Sequence, residues 1–368
     1  MNSVKIIHTS DLHLDSRLSN FSLDKSKIRR QELKSSFAQA LEICGKADIV
    51  LMCGDIFDNA EYQKGTVKFL QSVFAKYEDT VFFICGGNHD RYTSPGMQAL
   101  ISELPENVIV FSDKAEYMEL DDIKVRVYGM SFADKYCYES LMDEFEVIDD
   151  DYINILMLHG EIVSPGGDSK YNPVTVAQIE RSGFDYIALG HTHDFSGIKR
   201  VGRTAYAYCG THEGHGFDER GPKGVICGTV SKGSCDLGLT ETCMRKYVEA
   251  DIDVTHAYII EDIINMIKSE VTDSDNIYRI VLKGTLAETI ILDMDVIGSA
   301  VDAFYIEISD KTVRDYNLEE LSKRQNLKGF VARTVLEELK NCADEDVDTV
   351  CSASDYLYEL IDNGGGRK

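Results

Sequence analysis

Val4-Lys5-Ile6-Ile7-His8-Thr9-Ser10-Asp11-Leu12-His13 begins as an apolar run and ends on a carboxylate and an imidazole two residues apart. The same arrangement returns along the chain. Residues 48–53 lead into Gly54-Asp55-Ile56-Phe57-Asp58, residues 81–85 into Gly86-Gly87-Asn88-His89-Asp90, residues 153–158 into His159-Gly160, and residues 186–189 into Gly190-His191-Thr192-His193. Short apolar runs that close on Gly-rich polar turns read as buried strands. Between them, residues 28–46 and 61–76 carry apolar side chains at spacings of three and four, as helices covering a sheet do. The fold class is therefore α/β, with a buried sheet core. In an open α/β sheet, ligands sit outside the carboxyl ends of the strands, where all five polar turns fall. Residues 124–128 and 204–208 read as further sheet members.

The 368 residues predict two to three domains. The texture changes near residues 237–255, and the expected division is 1–235, a connecting segment 236–274, and a small α+β domain over 275–368. In that last part, residues 277–282 and 303–308 read as strands, 289–298 and 318–321 as connecting segments, and 329–339 as a helix. Residues 343–350 read as an acidic solvated turn or helix start. A Gly-rich tail at 363–368 is expected to fray. With 63 acidic and 38 basic residues the net charge is −25, so wide duplex wrapping is disfavoured and any polyanion substrate needs a local source of cations. No signal peptide or membrane span is apparent, which predicts a cytoplasmic protein without membrane attachment. The 10 Cys sit mostly singly in apolar runs, without zinc or redox spacing, and read as reduced buried thiols.

Carboxylates, imidazoles and one amide oxygen, without a thiolate, make a mixed O/N donor set suited to Mn, Fe or Zn. A cluster this rich can hold two ions about 3.5 to 4 Å apart, bridged by a carboxylate, and activate a water for attack on a phosphoryl group. Two such ions would add positive charge inside an acidic protein.

In combination and in this order, the five segments resemble the calcineurin-like metallophosphoesterase superfamily. His8-Thr9-Ser10-Asp11-Leu12-His13-Leu14 and the C-terminal arrangement resemble its DNA-repair exonuclease branch, the Mre11/SbcD-like proteins. The resemblance implies a four-layer sandwich of two β-sheets flanked by helices, with a small C-terminal α+β capping domain. It assigns one metal to Asp11, His13, Asp55 and His193, and the other to Asp55, Asn88, His159 and His191. It makes His89 the catalytic histidine near the leaving-group oxygen, with Asp90 orienting it. His8 is expected to be structural and Asp58 to brace its loop. His212 and His215 read as part of a solvated loop near the cleft.

Tyr208-Cys209-Gly210-Thr211, Gly216-Phe217-Asp218-Glu219 and Lys223-Gly224 also resemble that branch, as does Asn326-Leu327-Lys328-Gly329-Phe330 in the cap. From the cap, Lys323, Arg324 and Lys328 are candidate contacts to a nucleic-acid backbone. The chain is short for the branch, which predicts an abbreviated cap. The implied function is a metal-dependent phosphodiesterase, a DNA exonuclease in repair with two divalent ions, Mn(II) first and Fe or Zn as alternatives. Implied partners are DNA ends, a second copy in a homodimer and, less directly, an ATPase. Two other readings stand beside it: a small-molecule phosphodiesterase or phosphatase with the same ligands, and a non-catalytic DNA-end binding or scaffold subunit.

Overall fold

The computed structural model describes residues 2–58, 62–148 and 150–362. Residue 61, the expected start of the second helix, and the Gly-rich tail lie outside the described residues. The chain divides into two compact units, Met1–Tyr247 and Val248–Lys368.

In the first unit the strands are β1 (Ser3–Thr9), β2 (Ile49–Cys53), β3 (Val81–Cys85), β4 (Val108–Val110), β5 (Glu116–Leu120), β6 (Val125–Gly129), β7 (Ile153–His159), β8 (Glu161–Val163), β9 (Pro173–Thr175), β10 (Tyr186–Gly190), β11 (Lys199–Val201), β12 (Thr204–Tyr208), β13 (Gly224–Ser231) and β14 (Ser234–Glu241). The helices are α1 (Leu23–Cys44), α2 (Lys64–Lys76), α3 (Pro95–Ile101) and α4 (Val176–Ser182). One sheet has the order β14-β13-β1-β2-β3-β4 and the other β11-β12-β10-β7-β6-β5, while β8 and β9 form a separate pair. β1, β2, β3 and β4 run parallel, as do β6, β7, β10 and β12.

Alternation along the strands explains the layers. Ile49, Leu51 and Cys53 of β2, with Phe83 and Cys85 of β3, share a core with Ile155 and Met157 of β7 and Tyr186 and Ala188 of β10. Their neighbours Val50, Met52, Phe82 and Ile84 pack with Leu33, Phe37, Leu70 and Phe74 of α1 and α2. Leu156, Leu158, Ile187 and Leu189 pack on the other side with Ile179 of α4. Successive side chains point to opposite faces, so strands buried on both sides must be continuously apolar, as these are. The result is helices, sheet, sheet, helices: the expected four-layer sandwich. α4 shows local encoding of its ends, with Thr175 and Gln178 forming a capping box and Gly183 closing the helix in the left-handed conformation (φ 77°).

The boundary expected at 235/236 does not coincide with the division of the chain. β14 pairs with β13 from Ser234 to Glu241, which takes residues 236–241 into the first unit's sheet. The second unit has its own core around Ile252, Ile263, Tyr278, Ile280 and Leu282, so 248–274 is part of a folded unit rather than a connector. Its elements are β15 (Tyr247–Asp253), α5 (Ile260–Glu270), β16 (Ile277–Lys283), β17 (Thr285–Ala287), α6 (Met294–Ser299), β18 (Tyr305–Asp310), β19 (Val313–Asp315), α7 (Leu318–Ser322), α8 (Leu327–Asn341) and α9 (Val347–Asp362). A β15-β16-β18 sheet and a β17-β19 pair make it α+β. α6 and α7 occupy the stretches expected as connecting segments. They are single-turn to two-turn helices capped by Asp293 and Asn317, too short to show a period.

Candidate metal centre

The carboxyl ends of β1, β2 and β3 in one sheet meet those of β7 and β10 in the other. Hydrogen bonds between their loops fix the meeting point: Asp11 N–H donates to Gly54 O (3.0 Å), His13 N–H to Asp55 O (3.0 Å), and His159 Nδ1 lies 3.0 Å from Cys53 O. A Cβ on Gly190 would overlap the Cys53 carbonyl, so glycine is what lets the two sheets close here. Asp11 (φ 51°), His13 (φ 42°), Asp55 (φ 54°) and His191 (φ 100°) all have left-handed backbone. Each costs about 1 to 3 kcal/mol, and such strain concentrates where function requires a fixed geometry.

All seven residues assigned to the metals come together. Asp11, His13 and His193 form one group with ligand atoms within 4.8 Å of one another, and Asp11, Asp55 and His159 form a second. Asp55 Oδ2 lies 3.9 Å from His13 Nε2 and 3.4 Å from His159 Nε2, between one candidate ligand of each ion. Asn88 Oδ1 is 3.0 Å from His159 Nε2, and the His191 ring is 5.2 Å from the His159 ring. His193 Nε2 is 3.7 Å from Asp11 Oδ1.

His159 and His193 are each held through Nδ1 while Nε2 faces a carboxylate, and His13 Nδ1 lies near a carboxylate without hydrogen-bonding it. His159 Nδ1 meets Cys53 O, His193 Nδ1 is 2.5 Å from Glu219 Oε1, and His13 Nδ1 is 3.3 Å from Asp58 Oδ1. Both ring nitrogens of His13 are buried and make no hydrogen bond among the described residues. Gaps of 3.4–3.9 Å between Nε2 and carboxylate oxygens are long for hydrogen bonds and span the width of a cation with ligands at about 2.0–2.2 Å. Holding the second ring nitrogen fixes the tautomer and aims the lone pair. The residues thus fit the two divalent ions that the resemblance implies.

The electrostatics of the protein alone show the same crowding. Burial pushes the His13 and His159 imidazoles down, but the carboxylates of Asp58 and Asp55 facing them prevail, raising His13 to about 9 and His159 to about 10. Burial would raise Asp55, yet the facing His159 and His13 hold it well below the usual carboxylate range. His191 is pushed down to about 4 by burial and by His159 beside it. Cations bound there would take over the balancing of Asp11 and Asp55 and leave the imidazoles neutral.

His89 is exposed at the rim, its Nδ1 2.5 Å from Asp58 O and its ring 5.1 Å from that of His13. The orienting role expected of Asp90 does not hold. Its buried carboxylate accepts from the backbone N–H of Gly87 (2.8 Å), Asp55 (3.1 Å), Ile56 (2.6 Å) and Phe57 (3.2 Å), tying two ligand loops together. Four N–H groups already engage its oxygens, and the bond on the His89 ring comes from Asp58.

Three residues matter beyond those expected. Asp58 Oδ1 lies 3.3 Å from His13 Nδ1, and Asp58, His13 and His89 form a third group of possible ligand atoms. Glu219 joins His193 to His215, whose Nδ1 is 3.0 Å from Glu219 Oε2. His215 is not a solvated-loop residue: its ring lies 5.5 Å from that of His13, with Nε2 buried and without a partner. Only Phe217-Asp218-Glu219, quoted above for its resemblance, signalled this. His212 is fully buried with Nε2 2.7 Å from Leu33 O, and His8 sits between Tyr186 Oη (2.9 Å) and Leu189 O (3.2 Å), so both are structural. In the second unit, Lys323 pairs with Glu320 (3.0 Å), Arg324 with Glu288 (2.6 Å), and Lys328 with Glu288 (2.9 Å) and Asp362 (2.6 Å).

Comparison with known proteins follows the same line. The Calcineurin-like phosphoesterase family profile matches residues 4–195, more than half of the chain. The chain belongs to this family. The phosphoesterase is similar to the uncharacterized metallophosphoesterase YhaO of Bacillus subtilis, at 28% identity over 307 residues covering 78% of this chain and 74% of that protein. It is also similar to the DNA double-strand break repair protein Mre11 of Thermoplasma acidophilum, at 23% identity over 96% of this chain and 98% of that protein. This alignment takes in nearly the whole archaeal protein, so the chain is not abbreviated against that relative. A crystal structure of TT1561 of Thermus thermophilus matches 64% of this chain and 98% of that chain at 11% identity, with a TM-score of 0.39. Family membership makes the protein a phosphoester hydrolase with His and Asp clusters suited to metal. No helix among the described residues is long and apolar enough to cross a membrane.

Proposed function

We propose that the protein is a metal-dependent phosphodiesterase that acts on DNA ends, as an exonuclease in repair. The observation that carries the hydrolytic part is the pair of ligand clusters that meet at Asp11, with Asp55 Oδ2 lying between His13 Nε2 and His159 Nε2. Similarity over 96% of the chain to a protein described as an Mre11 repair protein supports the DNA part. Two divalent ions, if held by these residues, would supply Lewis-acid polarisation of a phosphoryl oxygen and a water that ionises near neutral pH. The mixed O/N donor set suits Mn, Fe or Zn, and the family resemblance puts Mn(II) first. The protein's own contribution is orientation: the Cys53 carbonyl and Glu219 keep two imidazoles in the ligating tautomer, and Asp58 Oδ1 faces the third at His13 Nδ1. His89, anchored through Nδ1 on Asp58 O, keeps Nε2 to give a proton to the departing oxygen. Homodimerisation, an ATPase partner and a cytoplasmic location belong to the same proposal and rest on the family resemblance.

One observation favours a small phosphate ester instead. The cap cations Lys323, Arg324 and Lys328 are each paired with an acid, in a chain of net charge −25, which leaves little free charge for a nucleic-acid backbone. Metal-reconstituted protein should be offered end-labelled single-stranded and duplex DNA beside bis-p-nitrophenyl phosphate and p-nitrophenyl phosphate. Shortening of labelled DNA from its ends is the expected result. Cleavage of the small diester with no DNA cleavage, across metals and end structures, would overturn the nuclease reading and leave the hydrolase.

A further inference from the structure

Beside His191 the surface carries three tyrosines in a row. The Tyr171 ring lies 4.7 Å from that of His191, Tyr136 5.9 Å from Tyr171, and Tyr138 6.2 Å from Tyr136. Tyr136 and Tyr138 are 39% and 69% exposed, large aromatic side chains open to water in a row that ends at His191. Two exposed lysines lie over them: Lys170 Nζ is 5.0 Å from the Tyr136 centroid and 5.8 Å from that of Tyr171, and Lys135 Nζ is 5.6 Å from Tyr136.

The row is a built surface. Its two loops are laced together by Cys137 N–H to Lys170 O (2.9 Å) and Asn172 N–H to Cys137 O (2.7 Å). Buried Asn172, held at φ 49°, then donates through Nδ2 to His159 O (2.8 Å) and accepts at Oδ1 from Leu141 N–H (2.8 Å). The tyrosines are thereby fastened to the strand end that carries a metal-ligand candidate.

We propose that Tyr138, Tyr136 and Tyr171, with Lys135 and Lys170, form a stacking platform for the unpaired bases of a single-stranded oligonucleotide whose backbone enters the metal centre at His191. The proposal rests on the phosphodiesterase reading and names its substrate as single-stranded nucleic acid. Aromatic faces bind bases without regard to sequence, and cations beside them serve the phosphates. Bases inside a duplex are already stacked on one another, so only its terminal pair leaves a free face, whereas every base of a single strand offers one. At about 3.4 Å per stacked nucleotide, the row reaches only a few nucleotides from His191. Asp134, Glu139 and Asp168 share these loops with the two lysines, so stacking rather than charge carries the affinity. With two phosphates neutralised, log affinity should fall against log salt with a slope of only about −1.4.

The test uses the full chain with its metals and a fluorescein-labelled phosphorothioate oligo(dT) decamer that resists hydrolysis. Tyr138→Ala should weaken binding by roughly tenfold, and the Tyr136→Ala, Tyr138→Ala double variant by more, while Tyr138→Phe binds like the parent. The chain has no Trp, so Tyr138→Trp supplies a lone indole whose emission should be quenched by the decamer and not by an equally charged poly-glutamate. Alanine variants that bind as tightly as the parent, or quenching by poly-glutamate alone, would overturn the platform. If the parent cleaves DNA and the alanine variants bind and cleave it equally, the platform falls and the nuclease reading stands. A decamer lost on tyrosine removal from a protein that cleaves no DNA supports the platform and sinks the nuclease.

Discussion

Replacing Glu219 by glutamine tests whether the metal centre depends on residues that touch no metal. In the parent, Oε1 meets His193 Nδ1 at 2.5 Å, and Oε2 accepts from the His215 backbone N–H (2.9 Å), His215 Nδ1 (3.0 Å) and Thr211 Oγ1 (3.4 Å). Burial would raise this carboxyl, but the two imidazoles hold it well below its ordinary range, so it is ionised and serves donors at both oxygens. An amide has one acceptor oxygen. Turned toward His215, glutamine presents its NH2 to His193 Nδ1–H, and the ring escapes by rotating or changing tautomer, which removes Nε2 from its place 3.7 Å from Asp11. Turned toward His193, it leaves the His215 N–H unpaired, at about 1 to 3 kcal/mol. Loss of such an outer partner lowers metal affinity about 10- to 100-fold, equivalent to roughly 1.4 to 2.8 kcal/mol. Glu219→Gln should therefore bind the ion that His193 would hold 10- to 100-fold less tightly in chelator competition, with metal content read by mass spectrometry. The far-ultraviolet circular dichroism should be unchanged. Unaltered affinity for both ions in a folded variant would refute the argument.

His89→Asn should keep both ions and lose about 100- to 10,000-fold in turnover of bis-p-nitrophenyl phosphate; full turnover would remove His89 from the chemistry. Asp55→Ala should lose occupancy of both positions, which the same metal analysis detects; two ions retained would show that Asp55 does not bridge. Arg29 and Glu213 are fully buried and paired at 2.9 Å beneath the loop that carries His215 and Glu219. Arg29→Ala strands a buried carboxylate and should cost about 3 to 5 kcal/mol in denaturant unfolding, against less than about 1 kcal/mol if the pair is idle. Burial pushes both His8 and His212 down to about 3. Their folded values lie below the unfolded value near 6.5, so the unfolded chain takes up protons first as pH falls. Stability is complete above about pH 6.5 and declines below it, by roughly 1.4 kcal/mol per pH unit for each imidazole. His212→Gln should remove one imidazole's share of that slope between pH 6.5 and 5, and an identical slope would show that His212 does not contribute.

Much of this protein is legible in one dimension because strands buried on both faces must be apolar and their ends must turn. Short range is enough to mark Asp11, Asp55, Asn88, His159 and His191 as strand-end residues, and to reveal the α/β class. The division of the chain was harder, since β14 shows only through its pairing with β13. Asp90 illustrates the limit at the centre: adjacency to His89 suggested a partnership, yet its hydrogen bonds run to residues 55–57 and 87, across two strands.

The sequence by itself determined the α/β class, the ligand types and the class of chemistry they permit, and its family resemblance implied the layered sandwich. Tertiary structure decided which carboxylate steadies which imidazole, that Glu219 and His215 face the centre, and that three tyrosines line up beside His191. The physical reason is range. Alternation and turn chemistry act between neighbours along a strand, whereas those side chains sit on irregular loops whose positions are set by the closure of two sheets, 180 residues apart for Asp11 and His191.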